Sequence, residues 1–170
     1  MNANTAVQHR VVVGVSGSLS NLAALHAAVA EARRTRAPLV AILAWTPVGG
    51  ELSDQRAACP PLLAVWRQQA RTDLNRAFDD AFGGVPTDIQ VESTTVRGEA
   101  GPTLVGIANR PGDLMIVGSG RRSRFARLRH TSVSRYCLSN ARCPLLVVPP
   151  PALIEELKSS RRWRADELVR

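Results

Sequence analysis

Two patterns of apolar positions repeat along the chain. Residues 10–15 (RVVVGV), 39–45 (LVAILAW), 113–117 (DLMIV) and 145–148 (LLVV) are short, unbroken runs rich in Val, Ile and Leu. Such runs predict strands covered on both faces, as parallel strands are. Residues 88–96 (DIQVESTTV) instead alternate, which predicts a strand nearer a sheet edge. Helical spacing fills the intervals. It covers 19–34, then 62–82 with Leu63, Trp66, Ala70, Leu74, Ala77, Phe78 and Ala81 on one side, then 101–109 and 131–141. Pro38, the pair Gly83-Gly84 and Pro111 stand where helices must stop. Residues 46–61, with three prolines and two glycines, predict a long surface loop.

Strands and helices therefore alternate through five strands. That order predicts an α/β fold: a doubly wound five-stranded parallel sheet with right-handed crossovers and helices on both faces. Residues 10–149 read as one domain. Residues 1–9 read as a flexible arm, and 150–170 as a Pro-rich junction and charged tail with helical spacing at Leu153, Leu157 and Trp163.

Composition narrows the class. The chain has 170 residues, of which 45% are hydrophobic, enough for a core without metal or disulfide support. No run approaches the roughly 20 apolar residues that cross a bilayer, and the start lacks a basic, apolar leader, so a cytoplasmic location is expected. The three cysteines, Cys59, Cys137 and Cys143, are odd in number and never spaced C-x-x-C, which argues against a disulfide framework or metal site. Cys137 is expected on a buried helix face with Val133 and Ala141. Net charge is +8, unevenly spread: residues 1–110 hold 10 Arg against 9 acidic residues, and residues 111–170 hold 12 basic against 5 acidic. Residues 121–142 carry seven arginines and no acid, a cluster suited to an anion.

Several segments, in order, resemble the universal stress protein family: VVVGVSGS before an Ala-rich helix, LAW closing the second strand, VRGEAGPTLVGIA, and DLMIVGSGRRSRF…TSVSRYCLSNARCPLLVVP. The chain looks closest to Arg-rich, actinobacterial-type members. The resemblance spans about residues 10–149 and implies an adenine nucleotide α-hydrolase-like fold and a homodimer through the closing strand, Leu145, Leu146, Val147 and Val148. It also implies a site for ATP or a related adenine nucleotide, or another phosphorylated small molecule. The site residues would be Gly14, Ser16, Gly17, Ser18, Ala44, Gly118, Ser119, Gly120, Arg121, Arg122, Ser132 and Val133.

The chain departs from the family's pattern there. Nucleotide-binding members carry G-x2-G-x9-G-S/T, whose glycines let backbone amides reach phosphates. Here the pattern reads Gly118, Arg121, Thr131, Ser132. The family's Asp at the end of the first strand is Ser16, and Ala44 falls where the second strand lines adenine. Side chains at Arg121 and Thr131 would crowd a backbone cradle, but Arg121 and Arg122 can grip phosphate through their guanidinium groups.

Catalytic motifs are missing. Ser16-Gly17-Ser18-Leu19-Ser20 lacks the second glycine and the Asp of an SGGxDS pyrophosphatase loop. No G-x-S-x-G elbow or G-x-x-x-x-G-K-[ST] loop occurs. His9 lies in the arm, His26 mid-helix and His130 in the basic loop, none with an evident acid or base partner. The expected protein is a stress-response ligand-binding dimer, any ATP hydrolysis being slow and incidental. The alternative is a nucleotide-free, chaperone-like interaction dimer. RNA or polyanion binding ranks last, because only Phe125 and Tyr136 interleave with the arginines.

Overall fold

The computed structural model describes residues 9–16, 19–51, 56, 59–119 and 132–151, with side chains from Asn21 onward in the first helix. Gly17, Ser18, Gly120, Arg121, Arg122, Thr131, nearly all of the expected arm (1–8) and the tail from 152 lie outside the described residues.

Five strands are described: β1 (Arg10–Gly14), β2 (Leu39–Trp45), β3 (Val91–Arg97), β4 (Asp113–Gly118) and β5 (Leu145–Val148). They form one sheet in the order β3-β2-β1-β4-β5, parallel at every pairing. The helices described in full between them are α1 (Leu19–Thr35), α2 (Pro60–Phe82), α3 (Ala100–Ile107) and α4 (Val133–Asn140). Two cores result, one on each face of the sheet. Val11, Val13, Leu39, Ala41, Leu43 and Ile116 pack under α1 and α2 with Leu25, Leu74 and Phe78. Val12, Val40, Ile42, Met115 and Val117 pack with Leu104 and Cys137, under α3 and α4. Alternate residues of one run thus enter opposite cores, so β1, β2 and β4 must be apolar throughout.

Boundaries differ from the sequence expectations where polar contacts intervene. The third strand starts at Val91 rather than Asp88 and runs on to Arg97. Asp88 is held instead by a two-pronged pair with Arg33 of α1, at 2.6 and 2.8 Å. Arg97 in turn pairs with Glu51 at 2.6 Å. The strand is at the sheet edge, as expected. α2 starts two residues early, because Pro60 suits a first turn that needs no amide donor. It ends at Gly83, whose φ of 72° places it in the left-handed region and whose amide reaches Asp79 O at 2.8 Å. α3 spans Ala100–Ile107 rather than 101–109. α4 is shorter than the expected 131–141, with Ser132 and Ala141 as its flanking caps.

Among the described residues, no helix is long and apolar enough to cross a membrane.

Candidate functional site

Parallel pairing between β1 and β4 ends at Val13–Ile116. Beyond that point β1 continues with β2 to Gly14–Ile42, and β4 with β5 to Gly118–Val148. The two central strands part at their carboxyl ends because their crossovers run in opposite directions across the sheet. This is the switch point at which open α/β sheets form a crevice.

A cavity of about 120 Å³ occupies that crevice. Gly14, Val15 and Ser16 form one wall, Ile42 and Ala44 another, and Val117 and Gly118 a third. Ala100 and Leu104 of α3 cover it, Val133 stands at the α4 end, and Asn21 enters from α1. No charged side chain is among its described lining residues. The space is close to the ~150 Å³ that accommodates a benzene ring. Gly14 is needed for this closeness: a Cβ there would stand 2.7 Å from Leu104 Cδ1.

Asn21 is the most constrained polar group of the site. Its side-chain amide donates to Gly14 O at 3.1 Å and to Ser16 Oγ at 2.9 Å. The residue is 8% exposed, and its Oδ1 is buried without a hydrogen-bond partner.

α4 begins beside the cavity, with Ser132 at its cap position. The Ser132 hydroxyl does not cap the helix. It pairs with Ser134 Oγ at 2.8 Å, and Ser134 Oγ lies 3.5 Å from Ser119 O. Among the described residues the first turn of α4 therefore has no side-chain cap, and no acidic residue stands in that turn. That end of a helix favours an anion.

Five sequence-predicted residues, Gly14, Ser16, Ala44, Gly118 and Val133, line this one cavity. Ser119 and Ser132 lie at its α4 side, joined through Ser134. Val133 departs from one expectation. It is 38% exposed rather than buried and lines the cavity one turn before the buried Cys137, because it is the first residue of a helix that opens onto the crevice. Asn21, Val15, Ile42, Ala100, Leu104 and Val117 were missed. The glycine and serine spacing carries no sign of them, although an Asn five residues after Ser16 at a helix start was a usable hint.

The other candidate groups lie elsewhere. His26 packs edge-on against Phe82, ring centres 4.6 Å apart. Cys137 is fully buried. Burial, with Cys143 nearby, raises its thiol pKa, and burial raises that of Cys143 too. Both are therefore poor nucleophiles at neutral pH. Among the described residues, no three His, Cys, Asp or Glu side chains are grouped to hold a metal.

A family model for the universal stress proteins matches residues 8–149. The chain belongs to the universal stress protein family. Relatives include the universal stress proteins Rv2005c and Rv1996 of Mycobacterium tuberculosis. The first is 30% identical over 151 residues, covering 83% of this chain and 48% of the relative. The second is 31% identical over 144 residues, covering 83% and 44%. The chain thus spans about half the length of these relatives. The fold is shared with hypothetical protein MJ0577 at a TM-score of 0.65 and 15% identity, covering 85% of this chain and 98% of that one. UspA from Lactobacillus plantarum matches at 0.56 and 19%, covering 85% and 99%. A universal stress protein solved in complex with cAMP matches at 0.53 and 23%, covering 86% and 100%.

Proposed function

We propose that this universal stress protein binds an adenine nucleotide at the β1–β4 crevice and works as a ligand-responsive homodimer rather than an enzyme. The observation that carries the reading is the ring-sized cavity, with no charged side chain among its described lining residues, opening beside the start of α4, which its N-cap residue Ser132 leaves without a side-chain cap. An adenine or ribose ring suits apolar walls, and a phosphate suits the helix amides. The cavity is too small for a whole nucleotide, so the phosphates would lie outside it, toward Ser119 and Ser132. The cAMP complex of a fold relative is compatible with this assignment. The described lining offers no acid–base pair, so ligand occupancy is the proposed signal.

Mass spectrometry of small molecules released from freshly purified protein tests this first. Near-stoichiometric adenine nucleotide is expected. Titration with a labelled ATP analogue then separates two roles for Arg121. If it grips phosphate, Arg121→Ala weakens binding roughly ten- to a hundredfold, the usual loss of a charged hydrogen bond. If it blocks the backbone, Arg121→Gly gains binding that the parent lacks. No binding by any of the three overturns the nucleotide reading.

A second reading rests on a different observation. Leu138, Leu146 and Val147 are 73%, 44% and 38% exposed, and β5 is an edge strand. An apolar edge of this kind suits self-association or a protein partner. An empty purified protein that still self-associates supports the interaction-module alternative, and salt-sensitive copurifying nucleic acid supports the polyanion one.

A further inference from the structure

We propose that a second cleft, on the opposite face of the sheet from the crevice, takes a small organic cation carrying an alkylated ammonium group. The crevice lies on the side of Ile42, Leu104 and Val117. Val15 and Leu43 belong to the other core, under α1 and α2, and Trp45 packs against that core. Together with Trp66 and Asp73 of α2 they line a cavity of about 340 Å³ at the carboxyl end of β2. That volume falls within the roughly 300–1,000 Å³ of small-molecule sites. Val15, Ser16 and Ala44 border both cavities, but the two indoles and Asp73 line the second one.

The helix sequence builds one wall. Trp66, Gln69, Ala70 and Asp73 stand at i, i+3, i+4 and i+7 of α2, a single stripe of its surface. Ala70, buried between them, adds only a methyl group. Trp45, the last residue of β2, supplies a second indole. Trp45, Trp66 and Asp73 are each half-buried, so all three keep surface open to a ligand. An indole face is electron-rich and attracts an ammonium ion, which is how aromatic cages hold choline and methylated lysine. The indoles alone would suit any apolar ring, and the carboxylate beside them selects a positive charge. Asp73 is the one charged residue of the described lining, in a chain whose net charge is +8. Its Oδ1 accepts from Gln69 Nε2 at 2.9 Å, a neutral donor that leaves the charge uncompensated. Among the described residues Asp73 has no ion pair. The cation in register with Trp45, Arg97 of β3, is paired with Glu51 at 2.6 Å. A phosphorylated ligand is repelled here, so this site is independent of the nucleotide reading.

The test is an NMR titration of the whole chain at constant ionic strength. Choline is the probe, and dimethylbutanol, its uncharged carbon isostere, is the control. Choline should shift the indole N–H signals of Trp45 and Trp66 saturably and bind about tenfold more tightly than dimethylbutanol. Asp73→Asn keeps the size of the side chain and removes its charge. It should weaken choline roughly five- to tenfold and leave dimethylbutanol unchanged. Trp66→Leu should weaken both probes. Equal affinity of the parent for the two probes, within about threefold, overturns the cation assignment. So does an Asp73→Asn protein with the parent's affinity for choline, or the absence of a saturable shift up to roughly 100 mM choline. The ratio of the two probes on the parent decides the matter if the variants do not fold, and ATP binding enters none of these outcomes.

Discussion

Arg10 and Asp113 open β1 and β4 in register with each other, at the amino ends of the strands, away from the crevice. The guanidinium donates from Nε to Oδ1 at 2.8 Å, from Nη2 to Oδ2 at 2.7 Å, and from Nη2 to Ile107 O at 3.2 Å. The Arg110 amide adds a bond to Oδ2 at 3.0 Å. The Asp113 side chain is 0% exposed and that of Arg10 13%. An exposed pair contributes about 0–1 kcal/mol, but removing one partner of a buried pair costs about 3–5 kcal/mol because the other charge is stranded. Partial exposure of Arg10 favours the lower end. Arg10→Met should therefore destabilise by about 3 kcal/mol, or roughly 6–12 °C in Tm for a domain of this size, measured by urea unfolding and calorimetry. The pH dependence is diagnostic. Burial alone pushes the Asp113 carboxyl up, but the bonds from Arg10 and Arg110 and their charges outweigh it and hold it below its usual value. The parent's gain is thus complete above about pH 3.9, the unfolded value, and is lost as pH falls through the lower native value. In Arg10→Met burial, the amide bond and the Arg110 charge remain, and burial, the largest of them, raises the carboxyl. That variant is least penalised below about pH 3.9 and loses stability as pH rises through the raised value. The deficit should therefore shrink on acidification. Arg10→Met/Asp113→Leu should recover more than half of it, and ligand affinity should not change. A deficit below about 1 kcal/mol, or one constant from pH 7 to pH 3, would refute the reasoning.

Gly101→Ala would place a Cβ 2.7–2.8 Å from the Tyr136 ring, where α3 meets α4. Alanine usually gains about 1 kcal/mol in a helix, but overpacking of about 1–3 kcal/mol should win and lower the urea midpoint; an unchanged midpoint means that the helices separate freely. Gly14→Ala meets only the movable end of Leu104, so stability should fall by no more than about 1 kcal/mol. The displaced side chain narrows the cavity, and ATP affinity should drop in titration; full affinity would place the ligand elsewhere. Val147→Lys on β5 should give monomer or insoluble protein by light scattering, and an unchanged dimer mass would move the interface off this edge.

The chain's own pattern determined the element order and the parallel sheet. Residues such as Val11, Val12, Leu39 and Val40 are apolar without a break because both faces of their strands are covered, and that requirement is written locally. The alternation of β3 likewise marked it as an edge. Recognition of Gly14, Ser16, Ala44 and Gly118 as neighbours came through the family resemblance. What only the tertiary structure decided is the pairing of groups far apart in sequence. Arg10 meets Asp113 across 103 residues, Gly101 admits the ring of Tyr136, and Val133 lines the cavity while Cys137, one turn on, is buried. Asn21 shows the reason most plainly. At a helix start its amide could have capped the helix, bound water or faced the interior. Its orientation follows from a carbonyl seven residues earlier that β1 and the crossover bring within 3.1 Å, a juxtaposition set by packing rather than by any local periodicity.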